Sequence, residues 1–291
     1  MTWRTVIISQ RAKLDLKLNH LVIRQGGLTQ KVFIGEIALL IIESTAVSLT
    51  VSLISELNKN KVKIIFCDEK RNPASELISF YGSHNTSFRI KEQINWDEKT
   101  KKKVWTEIIK QKITHQMNHL KMRGNEEFLI LENYIDNLEL GDVTNREGHA
   151  AKVYFNSLFG TNFSRTQDNP INSSLNYGYG IILSIVNREI VSRGYLTQLG
   201  LFHDNQFNEF NLSSDIMEPF RIIIDRKIYE MKPRKFDSEE KYEIINLLND
   251  DIIIDNKKYV TLNGIGIYVK SVLNALSKND VNLIKEYRNE L

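Results

Sequence analysis

Residues 101–125 read KKKVWTEIIKQKITHQMNHLKMRGN, and the spacing of their apolar side chains decides the fold. Trp105, Ile109, Ile113, Met117 and Leu120 fall four, four, four and three residues apart, the repeat of one face of an α-helix, with a stop expected near Gly124. More helices are expected after it, over 126–140, 145–159, about 175–193 with Gly194 as a stop, 216–232 before Pro233, and 265–277. The hairpin-like DIIIDNKKYVTL at 251–262 interrupts them.

Upstream the period is that of strands. WRTVIIS, VKIIFCD and AKLDLKLNHLVIRQ carry short β-rich runs, the last alternating through Leu14, Leu16 and Leu18 and then Leu21 and Ile23. LNH at 18–20 is a candidate hairpin turn and Gly26–Gly27 another break. TAVSLTVSLISELNKNK at 45–61 reads as a helix leading into the VKIIF strand. The change of period falls in EKRNPASELISFYGSHNTS at 69–87, where the interdomain connection is expected. The class is therefore α+β: a small N-terminal β-rich domain with its linker over 1–82, joined to a larger, mostly α-helical domain over 83–291.

Composition fits that plan, since 291 residues, 42% of them apolar, suffice for two cores. The longest apolar run, IALLII at 37–42, is far short of a membrane span, and MTWRTVIIS lacks the apolar stretch of a signal peptide, so a cytoplasmic protein with no membrane partner is expected. Cys67 is the single cysteine, which excludes an intrachain disulfide and a thiolate zinc cluster, and its strand context points to an inert buried thiol. The formal charge of +3 is unevenly spread. Residues 89–123 hold ten Lys or Arg against four Asp or Glu, whereas 124–147 hold one Arg against seven acids. Such a pair is either two solvated helix faces that offset each other or a nucleic-acid contact.

Three stretches carry candidate chemistry. His115 and His119 in HQMNH are spaced to share a metal, but the segment lacks the glutamate of a metalloprotease helix, and its basic, polar neighbours suggest surface residues or phosphate contacts. In TNREGHAAKVYF at 144–155, Thr144 and Glu147 match a capping box, yet Ala150, Ala151, Tyr154 and Leu158 continue a buried stripe from Glu147. A carboxylate at the edge of that stripe needs a cation or good donors, and Gly148 beside it suggests close approach by another group, so cap and metal ligand both stay open. In GLFHDNQFNEFNLSSDIMEPFR at 200–221, His203 lies in a loop, while Asp215 and Glu218 are expected on one face of the first turn of a helix. Two carboxylates and an imidazole would make an open site for Mg²⁺ or Mn²⁺.

These two stretches, with NPINSSLNYGYGIIL at 169–183 between them, resemble in order and content the Cas-one family, the integrase subunit of CRISPR adaptation, and its type II-A branch most closely. The resemblance covers essentially the whole chain. It implies a β-domain used for dimerisation and a helical catalytic, DNA-binding domain in which Glu147, His203 and Glu218 are catalytic and bind the metal. Asp215 is then a supporting residue, and many relatives carry Asp where this chain has Glu218. The activity implied is metal-dependent strand transfer of double-stranded prespacer DNA into the CRISPR leader-repeat, with intrinsic nuclease activity. The implied partners are a second copy of the chain, the small second adaptation protein in a heterohexamer, the type II effector nuclease and the ring-forming accessory DNA-end protein. Arg146 and Arg221 are further expected to steady phosphate charge, and Lys101, Lys102, Lys103, Lys110, Lys112, Lys232, Arg234 and Lys235 to contact the DNA backbone. A stand-alone nuclease for branched repair intermediates would use the same residues.

Overall fold

The computed structural model describes residues 4–79 and 83–288, which divide into two compact units, Met1–Ser83 and His84–Leu291. In the first unit, strands β1 (Arg4–Ile8), β2 (Ala12–Lys17), β3 (His20–Gln25), β4 (Leu28–Phe33), β5 (Ile37–Ile42) and β6 (Val47–Leu49) precede helix α1 (Val51–Lys59), β7 (Lys63–Cys67) and β8 (Pro73–Glu76). They form two four-stranded sheets, β1-β5-β7-β8 and β4-β3-β2-β6.

The β2–β3 hairpin pairs Leu14 with Ile23 and Leu16 with Leu21. It turns through Leu18 and Asn19, both at positive φ, as a two-residue turn between right-twisted strands requires. Gly26 and Gly27, also at positive φ, turn β3 into β4. All six residues of β5 are buried, as befits a strand inside a sheet covered on both faces. One core joins Leu14, Leu21, Ile37, Leu40, Leu53 and Ile64 from both sheets and α1. The expected helix over 45–61 begins only at Val51: Thr50 caps it by accepting the Leu53 amide, and Val47–Leu49 instead pairs with β2 in parallel. Within the stretch expected to connect the domains, Pro73–Glu76 is strand β8, antiparallel to β7, and residues 80–82 lie outside the described part.

The second unit contains α2 (Thr86–Ile94), α3 (Glu98–Met122), α4 (Phe128–Asp136), α5 (Arg146–Phe159), α6 (Pro170–Val191), α7 (Asn211–Met217), α8 (Arg221–Met231), α9 (Ser238–Asn246) and α10 (Thr261–Lys278). A small sheet of β9 (Asp251–Ile254), β10 (Lys257–Val260) and β11 (Tyr287–Arg288) has β9 at its centre. Asp97 caps α3 through the Thr100 amide, and Gly124 follows the helix at positive φ. α3 is buried on more than its apolar stripe, since Lys112, His115, Gln116 and His119 are inside with Trp105, Ile109 and Ile113.

Several boundaries differ from the sequence expectation. α6 starts at Pro170, not about 175, because Asn169 accepts the Asn172 amide and proline fits the first helical position. The helix expected over 126–140 ends at Asp136, and a separate 3-10 turn at Leu140–Asp142 follows. The helix expected over 216–232 is α7, a 3-10 turn at Glu218–Phe220 and α8, because Pro219 interrupts regular hydrogen bonding. α2 and α9 have no counterpart in the sequence expectation. Among the described residues no helix is long and apolar enough to cross a membrane.

Candidate metal centre

The start of α5 is built by two side chains that precede it. Asp142, buried and at positive φ, accepts the amides of Arg146 at 2.7 Å and Glu147 at 3.0 Å. Asn145, in the left-handed region, accepts the Gly148 amide at 3.3 Å. A Cβ on Gly148 would meet the Asn145 side-chain oxygen at 2.8 Å, so the close approach expected at Gly148 is the cap itself. Thr144 is therefore not the cap, and its Oγ1 has no hydrogen-bond partner among the described residues. Glu147 does not close a capping box; its carboxylate meets Lys112 on α3 instead.

Lys112 joins two of the candidate ligands. Its Nζ lies 2.5 Å from Glu147 Oε1 and 2.5 Å from Glu218 Oε2. Both Lys112 and Glu218 are buried, so the two charges depend on their partners rather than on water. The Arg221 guanidinium binds the other Glu218 oxygen at 2.9 Å through both Nε and Nη2, and rests 4.5 Å over the ring of Tyr179. Burial by itself would raise the Glu218 carboxyl, but Arg221 and Lys112 outweigh it and bring it down to about 2. Burial likewise opposes the Lys112 ammonium, and Glu218 and Glu147 more than offset it, so the amine stays charged.

His203 is placed by Asp215, which is fully buried in α7. One carboxylate accepts the Leu201 amide at 2.5 Å, the Phe202 amide at 3.3 Å and the His203 amide at 3.1 Å, and also meets His203 Nδ1 at 2.7 Å. This ties Nδ1 and leaves Nε2 as the ring's other donor atom, the usual arrangement of an imidazole held for a metal by an outer carboxylate. The Asp215 hydrogen bond raises the His203 imidazole against the opposing effect of burial, and the charges of Asp215, Glu218 and Glu147 add to the rise. Trp105 of α3 stacks flat on Phe202 at 4.7 Å and meets the His203 ring edge-on at 5.8 Å. Asp215 and Glu218, expected to share one helical face, turn to different partners, Asp215 to the loop that carries His203 and Glu218 to Lys112 and Arg221.

Glu147 and Glu218 therefore converge on one cation, and His203 is held by Asp215 with both carboxylates close enough to act on its charge. Among the described residues no group of three His, Cys, Asp or Glu side chains is drawn together closely enough to hold a metal ion. Glu147, Glu218 and His203 are nonetheless of the donor types that suit Mg²⁺ or Mn²⁺, and one oxygen of each glutamate already turns to a shared positive charge.

The other candidate residues fall elsewhere. His115 and His119, expected at the surface, are buried: His115 reaches the carbonyls of Pro219 at 3.1 Å and Tyr287 at 2.8 Å, and His119 meets Tyr154 Oη at 2.7 Å. Burial, aided by Arg226 and Arg123, lowers His119 to about 4, so it is neutral near pH 7 and unsuited to binding phosphate. Arg146 stacks 5.3 Å over the ring of Tyr134. Lys102, Lys103, Lys110, Lys232, Arg234 and Lys235 are exposed and Lys101 is half-buried. Lys112, expected to touch DNA, is instead buried between the two glutamates.

Sequence reasoning also missed the group behind Arg221. Tyr179 donates to Asp225, whose carboxyl burial pushes up to about 7 although Tyr179, Arg221 and Lys112 pull it down. The inward polar residues of α3 do leave a readable signal. Trp105, Lys112, His115 and His119 are seven, three and four apart, which puts them on one helical face.

The sequence pattern of the family described as CRISPR associated protein Cas1 matches residues 5–251. The chain belongs to that Cas1 family. The CRISPR-associated endonuclease Cas1 of Neisseria meningitidis serogroup C (strain 8013) is 34% identical over 277 residues, covering 93% of this chain and 91% of that protein. Two solved structures share the fold. A casposase bound to integration product superposes with a TM-score of 0.77 at 17% identity, covering 96% of this chain and 93% of that one. A chain of a Cas6-RT-Cas1–Cas2 complex gives 0.76 at 15% identity, covering 99% of this chain and 36% of that longer one. The β-rich start and the mostly helical remainder are thus a Cas1 architecture.

Proposed function

We propose that this Cas1 chain is the integrase of CRISPR adaptation: it joins the 3′-hydroxyl of a short double-stranded DNA to a phosphodiester at the leader end of a CRISPR repeat. The observation that carries this reading is the convergence of Glu147 and Glu218 on a single cation position, with His203 held at Nδ1 by buried Asp215. The likeness to a casposase with an integration product supports the same chemistry.

In the reaction the attacking 3′-oxygen forms a new P–O bond, the old bond to the leaving 3′-oxygen breaks, and one phosphodiester replaces another with no net change in bond count. Water in place of the 3′-hydroxyl makes the same site a nuclease. Glu147, His203 and Glu218 would hold a Mg²⁺ or Mn²⁺ ion, which would supply Lewis-acid stabilisation of the charge that develops on phosphate and leaving oxygen. The chain's own part is to hold those donors still. Asp142 and Asn145 fix the helix end that carries Glu147, Arg221 pins one oxygen of Glu218, and Asp215 sets the tautomer and direction of His203. Arg221 already serves Glu218, so its first duty is to orient that carboxylate, and Arg146 stands on Tyr134 next to Glu147. The type II-A affiliation, a homodimer and assembly with the small second adaptation protein belong to this reading, and a Cas1 fold within a Cas1–Cas2 complex supports the last of these.

The test is strand transfer of a labelled DNA duplex into a supercoiled repeat plasmid with Mg²⁺ or Mn²⁺, using Glu147→Ala, His203→Ala and Glu218→Ala. Loss of an outer partner of a metal ligand costs about 10–100-fold, so loss of a ligand should lower product by about 100-fold or more. Melting curves establish that each variant is folded. Full activity in any folded variant would remove that residue from the ligand set.

A further inference from the structure

We infer that Lys112 is the resident counter-cation of the metal centre: it holds Glu147 and Glu218 in place before metal arrives and competes with the divalent ion for their oxygens. The inference rests on the metal reading above and adds a residue with the opposite sign of effect to the ligands.

Position comes first. One Lys112 Nζ sits 2.5 Å from an oxygen of each glutamate, although Glu147 comes from α5 and Glu218 from the turn before α8. A metal bound by those same two oxygens would approach each to about 2.1 Å and so would claim the space the ammonium fills. The two cations exclude each other there.

Charge gives the second step. Glu147, Glu218, Lys112 and Arg221 are the four groups joined by these ion pairs, and their formal charges cancel. A divalent ion added while Lys112 stays leaves these four groups with an excess of two positive charges, offset only in part by the buried Asp215 carboxylate behind His203, which is costly where Lys112 and Glu218 sit away from water. The excess is relieved when Lys112 withdraws or when DNA phosphates enter. Lys112 thereby ties firm metal binding to the presence of nucleic acid. A lysine that merely supported the ligands from outside would instead strengthen metal binding, and its loss would weaken affinity by about 10–100-fold. The two roles predict opposite signs.

The experiment is calorimetric titration of Mn²⁺ into the DNA-free full chain, wild type against Lys112→Met, with melting curves in EDTA and in Mn²⁺. Lys112→Met should melt lower in EDTA, gain more from Mn²⁺ than wild type does, and bind Mn²⁺ at least about tenfold more tightly. Equal or weaker binding in the variant overturns the inference and leaves the metal reading intact. If wild type binds no Mn²⁺ either with or without DNA duplex, the metal reading falls and takes the inference with it. A variant that folds only when Mn²⁺ is present supports the inference, because the metal then replaces the missing charge. If Lys112→Met folds under neither condition, the ¹⁵Nζ resonance of Lys112 in wild type decides, with Lys112→Arg to assign it: a resonance that moves on adding Mg²⁺ supports competition, and one that stays overturns it.

Discussion

His203 depends for its position on a carboxylate with no exposed surface. Its Nδ1 and its backbone amide both meet Asp215, which also takes the amides of Leu201 and Phe202. Asp215→Asn keeps the shape but offers one acceptor oxygen where there were two, so the loop loses bonds and the imidazole loses its anchor. Strand transfer should fall by about 10–100-fold with a matching loss of Mn²⁺ affinity, and unchanged affinity would show that Asp215 only holds the loop together. The metal-free protein offers a second readout. Asp215 raises the His203 imidazole above its ordinary value of 6.5, so the pair's contribution to stability is complete below that pH and is lost as pH rises through the raised value. In Asp215→Asn the His203 ring should titrate lower, as followed by NMR. Because a metal needs the neutral ring, Mn²⁺ should bind better at higher pH in wild type, and the variant should show less of that dependence.

At the level of elements, the loop between α6 and α7 is set by a lack of room. A Cβ on Gly200 would overlap the His203 carbonyl and come within 2.8 Å of Asp215 Oδ2 and 3.0 Å of Asn211 Cβ. Gly200→Ala should therefore cost about 1–3 kcal/mol, the usual range for overpacking, and should move His203. The expected result is a melting point several degrees lower and impaired strand transfer, and a variant with wild-type melting and activity would show that the loop can yield. The element scale also explains what the sequence made legible. The strand-to-helix change of period is clear because Leu14, Leu16, Leu21 and Ile23 alternate, while Trp105, Ile109, Ile113 and Leu120 step by the helical repeat. The cap of α5 is not, since Thr144 and Glu147 match the local pattern while Asp142 and Asn145 supply the bonds from left-handed backbone that the pattern does not encode. On the inward side of α3 the spacing of Lys112, His115 and His119 shows a shared face but not what that face meets. A helix packed nearly all round buries polar groups wherever partners from distant segments reach them, and the partners of Lys112 and His115 lie on α5, the Glu218–Phe220 turn and β11. Periodicity records which residues share a face; it does not name the partners of a lysine whose two carboxylates are 35 and 106 residues away.

Across the whole molecule, the surface cations proposed to hold DNA lie in the same unit as the candidate metal centre. Lys102, Lys103 and Lys110 are exposed on α3, and Arg234 is exposed after α8. Lys101 already meets Glu98 at 2.9 Å, and Lys235 lies 3.4 Å from Asp237, so both have acidic neighbours that dilute their pull on phosphate. Each phosphate a cation neutralises releases condensed counterions, and the salt slope of binding rises by about 0.9 for every phosphate neutralised on duplex DNA. Replacing Lys102, Lys103, Lys110 and Arg234 together by alanine should therefore flatten a plot of log affinity against log salt by roughly one unit for each phosphate no longer neutralised. Lys101→Ala should change it less. The comparison is made by fluorescence anisotropy on a short duplex at several salt concentrations, in EDTA so that no cleavage intervenes. Equal slopes in wild type and the fourfold variant would mean that this basic stretch is a solvated face balancing the acidic segment that follows it, and that DNA is held elsewhere. A flatter slope with melting unchanged would instead place these side chains on the phosphates, because replacing exposed lysines removes charge without touching the core that α3 shares with α5 and the Glu218 turn.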